Sequence, residues 1–143
     1  MNWIIKSFDE LTKLELYEIL KSRAEIFVKE QEICCVDPDG VDLNSFHVFA
    51  MEEGRVVAYL RAFEKEERVM KIGRVLTLVH GNGIGSQLMK FAMTKLKDMT
   101  GCKKIVMDAQ TQAVPFYERL GFAIVSDEYI EEGVPHVDME REL

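Results

Sequence analysis

The chain has 143 residues, 48% of them apolar and 30% charged, with a net charge of −7. That is the length of one domain and the composition of a soluble globular protein, with no apolar stretch near the ~18 residues of a membrane span. The acidic balance argues against nucleic-acid binding and mildly favours a cationic substrate.

The N-terminus, from Met1 to Lys6, lacks the long apolar core and cleavage site of a signal peptide, so a cytoplasmic location is expected. Trp3 to Ser7 predicts a short strand. Thr12 and Glu15 have the spacing of a capping box. Leu16, Tyr17, Leu20, Ala24, Phe27 and Val28 then recur at helical spacing, which predicts a helix of roughly 16 residues ending near Lys29 or Glu30, with that stripe facing the core. Arg23 lies beside the stripe and is expected to snorkel to its rim. Residues 32–45 carry no period. Within them, Asp37-Pro-Asp-Gly-Val-Asp42 turns tightly and Pro38 stops any helix. This segment is either a solvated loop or a carboxylate-lined wall for an amine. It lacks the ligand pattern of a calcium loop, and no metal is expected. Cys34 and Cys35 are adjacent and Cys102 stands alone, so structural thiols are expected rather than a disulfide or a metal knuckle.

His47–Glu52, a turn at Glu53-Gly54 and Arg55–Phe63 predict a hairpin. In it Arg61 alternates with apolar neighbours and faces either a groove or solvent. A charged turn, Glu64–Arg68, leads into a strand through Ile72, Val75, Leu76, Leu78 and Val79. Gly81, Gly83 and Gly85 cut that strand off. Leu88, Met89, Ala92, Met93 and Leu96 follow at helical spacing, and the helix should end near Thr100-Gly101. Lys104–Asp108 predicts the next strand. Thr111 is expected to cap a short helix with Pro115 in its first turn, carrying Phe116 and Tyr117 and ended by Gly121. Phe122–Ser126, a turn at Glu131–Gly133 and Pro135–Arg141 close the chain as a hairpin.

The order β-α-β-β-β-α-β-α-β-β predicts an α/β (α+β) fold, a mixed sheet with helices on both faces, and one domain over residues 1–143. Its glycine turn joins a strand to a helix and so presents free N–H groups at the positive helix end, where a phosphate can approach closely. A P-loop requires a lysine where Ser86 and Gln87 follow Gly85, which excludes it. A dinucleotide fingerprint fits Gly81, Gly83 and Ser86, with Asp108 about 20 residues on, but two hairpins break the alternation that fold requires. The pyrophosphate loop of coenzyme A acyltransferases, R/Q-x-x-G-x-G/A, fits His80-Gly-Asn-Gly83-Ile-Gly85 except at its first position. A glycine-rich turn without a ligand is the remaining alternative.

Further motifs are Trp3, Leu16-Tyr17, Arg23, Phe27-Val28-Lys-Glu30-Gln31, Asp39-Gly-x-Asp42, Ala58-Tyr59-x-Arg61, Ile72-Gly-Arg-Val75 and Ala109-Gln-x-x-Ala113-x-x-Phe116-Tyr117-x-x-x-Gly121-Phe122. Gly133-x-Pro135-His136 and Met139 complete them. With these the chain resembles GNAT-superfamily N-acetyltransferases, above all the ElaA-type branch, over nearly its whole length. The resemblance implies a mostly antiparallel sheet whose central parallel strands, Ile72–Leu78 and Lys104–Asp108, splay to hold acetyl-CoA. Leu76 and Thr77 would then pair with the pantetheine arm. His80, Gly81, Asn82, Gly83, Ile84, Gly85 and Ser86 would cradle the pyrophosphate, and Gln110 would join the cofactor site.

The resemblance also implies direct acetyl transfer to a primary amine on a small molecule or peptide, with Tyr117 protonating the leaving thiolate. Four side chains are candidates for the base: Glu30, Asp42, His47 and His136. Of these, Glu30 and His47 are carried forward with Tyr117. No nucleic-acid or membrane partner is implied, and a homodimer is left open. His80 replaces the family's Arg or Gln, which weakens the side-chain hold on phosphate unless the imidazole is protonated. A domain that keeps the fold and coenzyme A but has lost turnover is the alternative.

Overall fold

Residues that alternate between two apolar faces build the centre of the sheet. In the computed structural model, which describes residues 1–33 and 36–143, β1 (Asn2–Ser7), β2 (Phe46–Glu52) and β3 (Arg55–Glu66) form an antiparallel meander. Cys34 and Cys35 lie outside the described residues. Val48, Ala50, Ala58, Leu60 and Ala62 face one core layer, while Phe49, Val56 and Tyr59 face the other. Val56 changes face because the register shifts beside it, from Ala50↔Ala58 to Met51↔Val56, which leaves Val57 as an extra residue on β3. The third strand runs to Glu66, into the expected charged turn, and Arg68 closes the reversal at φ 61°.

Helix α1 (Lys13–Arg23) starts on the expected capping box. The Thr12 hydroxyl accepts from the Glu15 N–H at 3.1 Å, and the Glu15 carboxylate accepts from the Thr12 N–H at 2.8 Å. Of the expected stripe Phe27 is buried and Leu16 and Leu20 are half-buried, while Tyr17, Ala24 and Val28 are exposed. Glu15, Ile19, Ser22, Arg23 and Ile26 turn inward, and Tyr17 is left 64% exposed. Polar groups displaced the apolar period: Ser22 donates to the Val56 carbonyl at 2.6 Å, and Arg23 reaches into the following loop. The helix also changes pitch. Ala24–Glu30 winds as a π-helix, and the Gln31 N–H reaches the Ile26 carbonyl, five residues back, at 2.9 Å.

Strand β4 (Val69–Thr77) pairs antiparallel with β3 and leads to α2 (Ile84–Thr100), which buries Leu88, Met89, Ala92, Met93 and Leu96 and ends on Gly101 at φ 68°. Cys102 is buried beneath it. Strand β5 (Lys104–Gln110) lies parallel to β4, and α3 (Val114–Arg119) follows a 3-10 turn at Thr111–Ala113. Thr111 does not cap α3; its hydroxyl is buried without a partner among the described residues, and Ala113 stands at the cap. On the outer edge of β8 (Val134–Glu142) lie β6 (Ala123–Ile124) and β7 (Tyr129–Glu131), so the expected hairpin is β7–β8.

The sheet order is β1-β2-β3-β4-β5-β8-β6, with β7 also on β8, and only β4–β5 is parallel. The α1 segment covers one face, and α2 with α3 covers the other. Strands β4 and β5 pair from Val69↔Lys104 to Ile72↔Met107 and then separate. Opposite β3, the register passes from Arg61↔Gly73 to Tyr59↔Leu76, which puts one extra residue on β4. Arg74 sits in that bulge at φ 54°, a left-handed conformation that non-glycine residues seldom adopt. The bulge turns β4 away from β5 and opens the sheet. No helix among the described residues is long and apolar enough to cross a membrane.

Candidate active site

The separated strands frame a cleft of about 750 Å³. Lys71 and Arg74 line it from β4, Asp108 and Gln110 from β5, Tyr117 from α3 and His136 from β8. Gln31, beyond the π-helix, lines its mouth. That volume lies within the usual range for small-molecule sites.

His80 lines the cleft and leads into the glycine turn, whose residues 81–86 are not among the lining residues. Gly81 and Gly83 hold φ of 81° and 79°, and a Cβ on either would meet nothing within 4 Å, so the space before them is open. Asn82 Oδ1 accepts the Ile84 N–H at 3.2 Å, and the Gln87 N–H donates to the Gly83 carbonyl at 3.1 Å. The N–H groups of Gly85 and Ser86 have no acceptor among the described residues. Free N–H groups at the start of a long helix attract an anion. Gly85 has a different reason to be glycine: a Cβ there would lie 3.2 Å from the Phe116 ring. It lets α3 pack closely against α2. The Leu76 side chain packs under α1 with Ile19 and Tyr59, so only its backbone is available to the cleft.

His80 and Glu30 meet beside the glycine turn, Nε2 to Oε1 at 3.3 Å, and Thr77 Oγ1 lies 3.5 Å from His80 Nδ1. Both members of the pair are exposed. Across the mouth, Gln110 Nε2 donates to Gln31 Oε1 at 3.0 Å. Tyr117 is 7% exposed, and burial pushes its phenol up to about 12. Its ring packs edge-on against Phe116 and Phe122, and its hydroxyl has no hydrogen bond among the described residues. A protonated donor therefore lines the cleft.

The wall behind Arg74 corrects two expectations. Arg23 does not snorkel. It is fully buried, with Nε to Asp37 Oδ2 at 3.0 Å, Nη1 to Asp42 Oδ1 at 2.7 Å and Nη2 to the Asp37 carbonyl at 2.9 Å. Burial alone would lower its pKa, but Asp42, Tyr59 and Asp37 outweigh it and hold the guanidinium charged. Arg61 forks onto Asp39 at 2.7 and 2.8 Å and reaches Asp42 at 3.1 Å. Arg74 joins Asp37 at 2.9 Å and Asp39 at 3.3 Å. The Asp37–Asp42 segment is thus not a free carboxylate wall: Pro38, Asp39 and Gly40 remain exposed, but three arginines pair with its three carboxylates.

This network sets an acid limit. The Arg61 hydrogen bonds hold the Asp39 carboxyl at about 2. Burial would raise Asp42, but Arg23 and Arg61 hold it below the usual range. Both groups are depressed in the fold, so their stabilisation is present above the ordinary carboxylate range and is lost as pH falls from about 4 to about 2. Circular dichroism should show the urea midpoint of the wild type falling over that window, and falling less for Asp39→Asn. Equal acid sensitivity in both proteins would disprove the assignment.

The two histidines offered as bases part company. His47 Nε2 lies 2.9 Å from the Asp42 carbonyl, which can only accept, so Nε2 carries the proton and Nδ1 accepts from the Tyr59 hydroxyl at 2.7 Å. Burial lowers its pKa, its lone pair is occupied, and it does not line the cleft. His47 is a structural residue. Asp42 is held by two arginines, and Glu30 sits beside His80. His136 does line the cleft, and its Nδ1 donates to the Val134 carbonyl at 2.7 Å. Sequence reasoning quoted Gln31 and Arg74 within motifs but gave neither a place in the site, because a left-handed backbone in a strand and a partner 79 positions away leave no local signal.

A family model described as an acetyltransferase (GNAT) domain matches residues 38–143. The chain belongs to the GNAT acetyltransferase family. This GNAT chain is 35% identical to a UPF0039 protein of Schizosaccharomyces pombe, over 100% of its own length and 98% of the relative's. The crystal structure of Escherichia coli ElaA superposes with a TM-score of 0.93 at 32% identity, covering 99% of this chain and 100% of ElaA. An acyl-CoA N-acyltransferase from Pseudomonas aeruginosa gives 0.91 at 34%, covering 99% of both chains. The ElaA-type resemblance and the expected fold class hold. Acyl transfer is the chemistry of this family's fold.

Proposed function

We propose that residues 1–143 form one domain that transfers an acetyl group from acetyl-CoA to a primary amine on a small molecule or peptide, by direct attack. The observation that carries this reading is the cleft between parallel strands that separate at the Arg74 bulge, with the unpartnered Tyr117 hydroxyl on its wall. Acetyl-CoA supplies the activated acyl carbon. The N–H groups of Gly85 and Ser86 fit a pyrophosphate, and the open space over Gly81 and Gly83 admits it. Strand β4 beyond Ile72 has lost β5 as a partner, which leaves its edge, including the backbone at Leu76 and Thr77, to pair with an extended pantetheine arm. Tyr117 supplies the proton that the departing sulfur takes up.

Acetyl-CoA, but not NADH, should raise the melting temperature, and thiol release should follow when primary amines are added. Stabilisation without thiol release from any amine would favour a coenzyme A sensor. The exposed His80–Glu30 pair, in place of a free cation on the glycine turn, is the observation on that side. Gly83→Glu should weaken acetyl-CoA binding by roughly tenfold or more, since one lost phosphate contact or one like-charge repulsion is worth about 1.4 kcal/mol. Gly83→Asn, which tolerates the left-handed backbone, separates strain from charge. Calorimetry that finds unaltered affinity in folded Gly83→Glu would place the pyrophosphate elsewhere.

A further inference from the structure

We propose that the β7–β8 hairpin is the acceptor subsite, with His136 as general base and Glu131 and Glu132 drawing in an amine that carries a second cationic group; this rests on the acetyl-transfer reading. The charge pattern of the cleft points there. Asp37 and Asp39 are matched by arginines, and Asp108 pairs with Lys71 at 2.9 Å. Glu131 and Glu132, at the hairpin turn, line the same cleft without an arginine or lysine partner among the described residues. The acidic attraction therefore sits at this turn.

His136 is the second, independent observation. It is 8% exposed and lies between Tyr129 of β7 and Gln110 of β5. Its ring stacks on Tyr129 at 6.0 Å and 19°, and the Tyr129 hydroxyl is tied to Asp138 at 2.6 Å, so the imidazole plane is held. Because Nδ1 donates to the Val134 carbonyl, the lone pair is on Nε2. That nitrogen has no hydrogen bond among the described residues; Glu131 Oε2, the nearest carboxylate oxygen, is 3.8 Å away. Tyr129 stacks on the imidazole, and the polar groups that line the cleft with it include Glu131 and Glu132 on the hairpin, Gln110 and the Lys71-paired Asp108 on the sheet, and Tyr117 on α3. A buried imidazole with one nitrogen anchored and the other open is placed to take a proton.

As the amine nitrogen bonds the acetyl carbon and the carbon–sulfur bond breaks, His136 Nε2 accepts the N–H proton and Tyr117 gives its hydroxyl proton to sulfur. Solvent then returns a proton to Tyr117 and removes one from His136. The products are an amide and a free thiol, with no net change in the protein.

The test uses the full chain, acetyl-CoA and two acceptors: agmatine, with a cationic tail, and β-alanine, with an anionic one. Agmatine should be the better acceptor, and Glu131→Gln with Glu132→Gln should raise its KM about tenfold and erase the preference. His136→Asn should lower kcat by roughly 10²–10⁴-fold and remove the acid limb of the pH profile, with acetyl-CoA affinity unchanged and activity partly restored by added imidazole. His136→Gln serves if Asn fails to fold. A preference for β-alanine, no turnover of agmatine by a protein that binds acetyl-CoA, or a folded His136 variant with its acid limb intact overturns the subsite. A wild type that neither binds acetyl-CoA nor releases thiol overturns the transferase reading itself.

Discussion

A Tyr117→Phe protein should bind acetyl-CoA as the wild type does and release thiol roughly 10²–10⁴-fold more slowly, the usual contribution of a positioned acid. The substitution is clean. The ring keeps its edge contacts with Phe116 and Phe122, and the hydroxyl that is lost has no partner among the described residues, so no buried group is orphaned. Stability should barely move. Burial holds the phenol protonated at any pH where the protein works. It also makes the phenol a weaker acid than in water. Proton transfer stays feasible because the same surroundings disfavour a bare thiolate and so raise the pKa of the thiol as well. Single-turnover thiol release, with chemistry shown to limit the rate, is the measurement. An unchanged rate in the folded variant would assign Tyr117 to packing.

Arg23→Leu should cost about 3–5 kcal/mol, because it leaves Asp37 and Asp42 buried beside each other without their shared counter-charge. Typical domains have only about 5–15 kcal/mol in total, so much of the population should unfold at physiological temperature. Arg23→Lys should recover little, since a single ammonium cannot reproduce a fork with three acceptors. Adding Asp42→Asn to Arg23→Leu should restore part of the loss, a coupling that a double-mutant cycle in urea reads directly. If Arg23→Leu kept the wild-type urea midpoint, the network would be ornamental to the fold.

Local chemistry made much of the scaffold legible. The capping box at Thr12, the turn at Glu53-Gly54, the strand-to-helix glycines and the stop at Gly101 each act within a few residues, and each appears where the chain demands it. Arg23 could not be read that way. Its partners are 14 and 19 positions on, in a segment without period, and only closure of the fold decides between solvated and paired carboxylates. The stripe of α1 was misplaced because a 3.6-residue apolar period was assumed where four polar side chains, Glu15, Glu18, Ser22 and Arg23, are buried and the winding changes at Ala24. His47 and His136 look alike in the sequence, each at the start of a strand. Both ring nitrogens of His47 are bonded, to Tyr59 of β3 and to the Asp42 carbonyl, while His136 is anchored at one nitrogen by Val134 of its own strand, and only closure of the fold supplies that difference.

The wide winding from Ala24 to Glu30 has a consequence for how loss of a single residue would be felt. A π-segment is an α-helix that has absorbed one extra residue. Deleting any one residue there would let the helix relax to regular pitch while what lies beyond kept its phase, whereas the same deletion in a regular α-helix would swing the remainder by about 100° around the axis. Glu30 and Gln31 hang from that end, one touching the loop after β4 and the other touching β5. Both sides of the cleft are therefore fastened to α1 through a turn with one residue to spare, and a chain shortened by one residue within it would keep its core and both fastenings, while one shortened earlier in α1 would lose both together.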